Sequence, residues 1–163
     1  MEGREMDTGL KSCFFIGHRE VDSTIYPVLL HEIERHIVEY GVRCFVVGRY
    51  GNFDALAARA VQEAKKHHPK VMLFRLLPYH PAGRSISMPL GFDGVYYPFG
   101  LERVPPKFAI IRANQIMVER SDFLIAYAWH SASNAREIVK YARRRERSGL
   151  IQVVNLAVPR LIY

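Results

Sequence analysis

Three short segments of this sequence combine glycine, hydroxyl, amide and basic residues in the manner of phosphate-binding turns. They cover residues 17–19 (GHR), 48–54 (GRYGNFD) and 129–137 (WHSASNARE). Free backbone N–H groups and the macrodipole at a helix N-terminus attract an anion, and glycine lets the backbone approach it closely. The segments therefore predict an anion site of the kind that holds a phosphate.

The candidate ligand-binding residues in these turns share small size or hydrogen-bonding capacity. They are Gly17, His18, Arg19, Gly48, Gly51, Asn52, Asp54, His130, Ser131, Ser133 and Asn134. Arg19 offers a charge-assisted fork to a phosphate. His18 either donates to a ligand or hydrogen-bonds within its own turn, and Trp129 either packs in the core or stacks on a base. Ordinary strand-to-helix turns are the alternative, because glycine and serine are common in all of them.

Several site types are excluded by motifs that the sequence lacks. No G-x-G-x-x-G follows the first apolar segment and no Walker A motif is present, which argues against a dinucleotide dehydrogenase and an NTPase. The histidines have no metal-ligand spacing with the two cysteines, so we expect neither a metal nor a cofactor. Cys13 and Cys44 lie in apolar runs and are expected to be buried, reduced thiols of a cytoplasmic protein.

Strands and helices alternate along the chain, which predicts an α/β fold: a three-layer Rossmann-like domain with a mostly parallel sheet of about five strands. The apolar strand segments are 13–16, 44–47, 71–77, 123–127 and 151–156. A segment with helical periodicity lies between each pair of consecutive strand segments. Asp54 is expected to be the N-cap of the second helix, and the fourth helix is expected to begin near Ser133 or Asn134.

The 163 residues are expected to form one domain, with a flexible N-terminus at 1–12 and a long loop at 78–106. The loop aromatics Tyr96, Tyr97 and Phe99 are candidate interface material. No apolar run is long enough to span a membrane. The formal net charge is +7, and the residues Lys140, Arg143, Arg144 and Arg147 share one helix face, which is either solvated or meets a phosphate-rich partner.

Four ordered motifs resemble the SLOG superfamily, and its YpsA-like branch in particular. They are FFIGHR at 14–19, G-x-x-G-x-x-D-x-x-A at 48–57, R-x-N-x-x-M-V-x-x-S-D at 112–122, and SASNA at 131–135. The match covers roughly residues 13 to 155. The resemblance implies a Rossmann-like fold, a nucleotide-type ligand and self-association as a homodimer or higher oligomer. It also adds Asn114 to the ligand-binding candidates.

The resemblance further implies two candidate catalytic residues, Glu137 and Arg112. In the LOG phosphoribohydrolases of this superfamily, the matching glutamate participates in N-glycosidic bond cleavage, and Arg112 or Arg19 would hold the phosphate. Two departures stand against catalysis: Gln115 replaces an arginine, and Ser131 and Ser133 replace a glycine pair. As an alternative, Asn134 and Glu137 have the spacing of a capping box.

Three functions follow as hypotheses. The first is a sensor or binding module for a nucleotide or ADP-ribose-like molecule. The second is a phosphoribohydrolase-like N-glycosidase that acts on nucleoside monophosphates. The third is binding of single-stranded nucleic acid, in line with the DNA-processing SMF/DprA members of the superfamily.

Overall fold

The computed structural model describes residues 9–79, 90–130 and 132–157, and within them a parallel sheet lies between two pairs of helices. The strands are β1 (Lys11–Gly17), β2 (Val42–Val47), β3 (Met72–Leu76), β4 (Gly94–Tyr96), β5 (Phe123–Tyr127) and β6 (Gln152–Asn155). The helices are α1 (Tyr26–Tyr40), α2 (Asn52–Lys65), α3 (Pro106–Arg120) and α4 (Asn134–Arg147). The α/β Rossmann-like prediction is confirmed.

The six strands are ordered β4-β3-β2-β1-β5-β6, and each neighbouring pair is parallel. The chain moves outward from β1 to β4 and then returns to the other side of β1 with β5. The connections that leave β1 and β5 therefore diverge at the carboxyl end of the sheet. Ligands of open α/β sheets bind at such a switch point.

Both faces of the central strands are covered, because successive side chains of a strand point to opposite faces. On β1, Phe15 packs into the core beneath α1 and α2, while Phe14 packs into the core beneath α3 and α4. On β2, Phe45 and Val46 divide in the same way. Continuous apolar runs in the sequence are therefore the expected form of these strands.

None of the described helices is long and apolar enough to cross a membrane. The longest, α1 and α3, have 15 residues each, whereas a bilayer needs about 20.

The segment 78–106 contains more structure than expected. Gly94–Tyr96 forms β4, so the sheet has six strands rather than about five, while residues 80–89 lie outside the described residues. Tyr96 is buried and accepts a hydrogen bond from Arg120, and Tyr97 packs against the core, so neither is an exposed interface aromatic. Phe99 remains 78% exposed. The three residues of β4 are too few for their apolar pattern to predict a strand.

Two predicted boundaries were wrong. β1 begins at Lys11, so residues 11–12 are strand rather than flexible N-terminus, and residues 1–8 lie outside the described part. α2 begins at Asn52 after Gly51, so Asp54 is not the N-cap. Its carboxylate accepts a hydrogen bond from the Tyr50 backbone N–H at 2.9 Å and thereby holds the turn before the helix.

We expect Phe53→Ala to destabilise the protein by about 3–5 kcal/mol, because it empties a fully buried site. The Phe53 ring lies beside those of Phe15 and Tyr127 and joins α2 to β1 and β5. The matched control is Phe99→Ala, at an exposed ring, with an expected effect within about 0.5 kcal/mol. Urea denaturation measures both free energies of unfolding, and equal values for the two variants would contradict the packing described.

Candidate functional site

A crevice of about 1020 Å³ opens at the switch point between β1 and β5. Its lower rim consists of residues that follow β1, β2 and β5, and its walls are formed by α3 and α4. Ten of the predicted ligand-binding or catalytic residues line it: Gly17, His18, Arg19, Gly48, Asp54, Asn114, His130, Ser133, Asn134 and Glu137. The fold thus brings together residues from all three predicted turns.

The imidazole of His18 connects the ends of β1 and β5. Its Nε2 accepts hydrogen bonds from the backbone N–H of Trp129 at 2.9 Å and of His130 at 3.1 Å. The His18 backbone N–H donates to the Tyr127 carbonyl at 3.2 Å. Of the two roles considered for His18, the structure supports the hydrogen bond within the turns, although the ring also faces the crevice.

This geometry requires His18 to be neutral, with its proton on Nδ1, because Nε2 can accept only when it carries no proton. The pKa of His18 is lowered from its ordinary value, first by burial and then by repulsion from His130. Protonation of Nε2 would place its N–H against the two backbone N–H groups, and both hydrogen bonds would be lost. The position of residues 129 and 130 beside His18 therefore depends on a neutral imidazole.

The second turn packs directly against the first. A Cβ on Gly51 would lie 2.4 Å from the Arg19 Cα, and the Asn52 backbone N–H donates to the Arg19 carbonyl at 2.7 Å. Gly51 and Asn52 do not line the crevice. Their role in this structure is to hold Arg19 in position, which is an indirect contribution to the site.

Asp54 is a half-buried acidic residue that lines the crevice. A Cβ on Gly48 would lie 3.0 Å from its carboxylate, so the glycine leaves room for this side chain. Burial raises the pKa of Asp54 to about 6, against the opposing effects of the Tyr50 amide and Arg75. The carboxyl is therefore mostly ionised at neutral pH and would repel a phosphate placed directly above it.

α4 presents its N-terminus to the crevice. Ser133 is the N-cap, and its hydroxyl accepts a hydrogen bond from the Arg136 backbone N–H at 3.1 Å. The predicted capping box of Asn134 and Glu137 is wrong, because the cap lies one residue earlier. Glu137 is instead 65% exposed and forms an ion pair with Lys140 at 3.5 Å. The amides of Asn134 and Ala135, at the first two helical positions, have no acceptor within the helix and are available to an anion.

The opposite wall of the crevice is apolar. Ile110 and Ile111 of α3 face Ile138 and Tyr141 of α4 across it. The Tyr141 hydroxyl donates to the Glu119 carboxylate at 2.6 Å, which fixes the ring in the wall. A flat heterocycle would bury its faces against such a surface, and aromatic contact contributes beyond the buried area alone.

Arg112 does not line the crevice, contrary to the prediction that it supplies a cation there. Its guanidinium lies 3.2 Å from Glu119 and also donates to Gln115. The helical spacing of residues 112, 115 and 119 places all three side chains on one side of α3. Ser131 lies outside the described residues, so its predicted role has no structural counterpart here.

Three residues that line or support the crevice lie outside the sequence motifs. Lys107 lines it from α3, where a single basic residue looks like solvated surface, and Arg144 lines it from the basic face of α4. Asn155, at the end of β6, accepts from the Ala128 N–H at 3.1 Å and donates to the Ala128 carbonyl at 3.0 Å. It thus anchors the segment that carries Trp129. A lone asparagine after an apolar strand is the only hint that sequence could offer.

Comparison with solved structures shows the same fold in proteins of very different sequence. DNA processing protein A from Helicobacter pylori matches 89% of this chain with a TM-score of 0.57 and 16% identity. DNA processing protein A from Streptococcus pneumoniae matches 96% with a TM-score of 0.59 and 12% identity. The chain spans only 66% and 62% of these two proteins. A molybdenum cofactor binding protein from Rippkaea orientalis has a TM-score of 0.56, 13% identity and 91% coverage of both chains.

The chain shares the Rossmann-like α/β fold of these proteins. This likeness confirms the fold that the sequence motifs implied, while membership of the SLOG superfamily and of its YpsA-like branch remains a prediction. No family model and no curated protein matches the sequence. The described residues contain no group of three or more histidine, cysteine or acidic side chains arranged to hold a metal ion.

Replacing His18 tests the link between β1 and β5. Because the unfolded imidazole takes up a proton near pH 6.5 and the folded one only at lower pH, its stabilising effect is complete above about pH 6.5. It is lost as the pH falls from there through the lowered folded pKa. His18→Gln retains an acceptor oxygen but does not titrate, so its melting temperature should fall less than that of the wild type between pH 7 and pH 5.

His18→Ala is the matched comparison, because it removes the acceptor at every pH. Trp129 and His130 are exposed, so each lost hydrogen bond costs about 0.5–1.5 kcal/mol, and His18→Ala should be the least stable of the three at pH 7. Melting curves that show the same pH dependence for wild type and His18→Gln would contradict the neutral bridging imidazole.

Proposed function

We propose that the crevice binds a small molecule of the nucleotide type, with its heterocycle against the apolar wall and a phosphate at the N-terminus of α4. The observation that carries the proposal is the juxtaposition of these two surfaces across one cavity of about 1020 Å³. Helix N-termini bind phosphate through free amides and the macrodipole. Arg19, Lys107 and Arg144 line the same cavity and supply cations.

The relatives in fold support a binding role of this general kind. The Rippkaea orientalis protein binds the molybdenum cofactor, a small molecule, and the match covers almost the whole of both chains. The Helicobacter pylori protein binds single-stranded DNA, but this chain spans only part of it. Small-molecule binding therefore transfers more directly than DNA binding. Self-association, which the resemblance implied, remains part of the proposal.

Arg19→Gln tests the phosphate contact. Arg19 is exposed, and its side chain lines the crevice, so the variant should fold normally while it loses a charge-assisted hydrogen bond of about 1.5–3 kcal/mol. We expect adenosine monophosphate to bind at least about tenfold more weakly. Calorimetric titration measures this dissociation constant, and mass spectrometry of molecules released from the denatured protein would identify the natural ligand.

Lys66→Gln is the control, because Lys66 is exposed beyond the end of α2 and does not line the crevice. It should leave the affinity unchanged within about twofold. A panel of purine and pyrimidine nucleotides that fails to raise the melting temperature at about 100 times a plausible dissociation constant would exclude the proposal, since roughly 2.7 kcal/mol of stabilisation should appear.

The N-glycosidase hypothesis remains as an alternative because Glu137 lines the crevice beside the helix N-terminus. A carboxylate near the anomeric carbon of a bound ribose would assist departure of the base. Glu137 is, however, exposed and paired with Lys140. We expect no base release above the level of Glu137→Gln when nucleoside monophosphates are incubated with either protein and analysed by chromatography. Release that depends on Glu137 would establish the enzyme instead.

A further inference from the structure

A second cavity, of about 540 Å³, lies outside the crevice along α4 and the end of β6. We call it the basic groove. Its floor is apolar and its rim carries five cationic side chains, from Arg136, Lys140, Arg143, Arg144 and Arg147. The sequence placed four of these on one helix face, but only the fold shows that the face borders a cavity.

The two cavities differ in charge. The crevice is lined by three cations and three acids, since Glu20, Asp54 and Glu137 offset Arg19, Lys107 and Arg144. Among the described residues, no carboxylate lines the basic groove. An anion with a charge of −3 or more is therefore bound better by the groove than by the crevice. The positive potentials of neighbouring cations add, and no nearby acid offsets them.

The groove cations are only partly neutralised by their neighbours. Lys140 pairs with Glu137 and Arg143 pairs with Glu146. Within the described part of the chain, Arg136, Arg144 and Arg147 form no ion pair with a carboxylate. Three guanidinium groups thus face one groove with their charge available to a ligand.

Arg136 is placed against the preference of the helix. It lies in the first turn of α4, where the macrodipole is positive and a cation is unfavourable. A lysine or arginine stabilises a helix near its C-terminus instead, which is the position of Arg147. Helix stability therefore does not explain an arginine at position 136, whereas binding of an anion in the groove does.

The groove and the crevice meet at Trp129 and Arg144, which line both. Trp129 is 58% exposed, and its backbone is held by His18. We infer that the basic groove binds the outer phosphates of the ligand whose heterocycle lies in the crevice. The ligand class is then a nucleotide with phosphate groups beyond the first, such as a nucleoside triphosphate or a pyrophosphate-linked dinucleotide. This inference rests on the proposed function.

The test compares AMP, ATP and inorganic tripolyphosphate by calorimetric titration at low salt, without magnesium. The groove variant is Arg136→Gln with Arg147→Gln, and glutamine preserves helix propensity. The control is Lys66→Gln with Lys70→Gln, which removes the same charge from two exposed residues remote from both cavities. We expect the groove variant to bind ATP at least about tenfold more weakly and AMP within about twofold of wild type, and the control to change neither.

The outcomes separate the groove from the crevice. ATP binding that weakens equally in the groove and control variants overturns the inference and leaves the crevice proposal standing. Tripolyphosphate binding that is lost only in the groove variant, with no nucleotide bound by any protein, would show a polyanion site in the groove but overturn both the nucleotide proposal and the inference that rests on it. Single-stranded DNA that binds through the groove residues while ATP affinity is independent of them would overturn the inference in favour of nucleic acid.

Discussion

The site depends on one shared acceptor, the Nε2 atom of His18, which receives two backbone amides from the end of β5. The connections that leave β1 and β5 diverge at the switch point, so the two amides after β5 find no acceptor in a neighbouring strand. The imidazole satisfies both donors at once and sets the position of Trp129. Asn155 holds the same segment from β6. The rim of the crevice is therefore fixed by side chains that must be uncharged.

Charged side chains are distributed unevenly around the neutral imidazole of His18. The crevice mixes acids with cations, and the raised pKa of Asp54 keeps one acid near its titration point. In the basic groove beside it, all the charged side chains among the described residues are cationic. A ligand that spans both cavities would meet an apolar and aromatic surface at one end and a strong positive field at the other, which is a basis for selecting nucleotides by phosphate number.

Helix positions matter as much as residue types in this arrangement. Ser133 caps α4 and leaves the first amides of the helix facing the crevice. Arg136 follows in the first turn, where it opposes the macrodipole and projects toward the groove instead. The N-terminus of α4 thus borders two cavities, because residues on opposite sides of its first turn point in different directions.

The sequence by itself determined the layered α/β architecture and the three turns, because apolar period, glycine positions and ordered motifs are local properties. It also placed four basic residues on one face of α4. Tertiary structure alone decided that Arg112 turns to Glu119 while Lys107 and Arg144 reach the crevice, since helix rotation against the sheet sets these directions. It likewise decided that Gly94–Tyr96 joins the sheet and that His18 accepts from β5, because both require strands distant in sequence to meet.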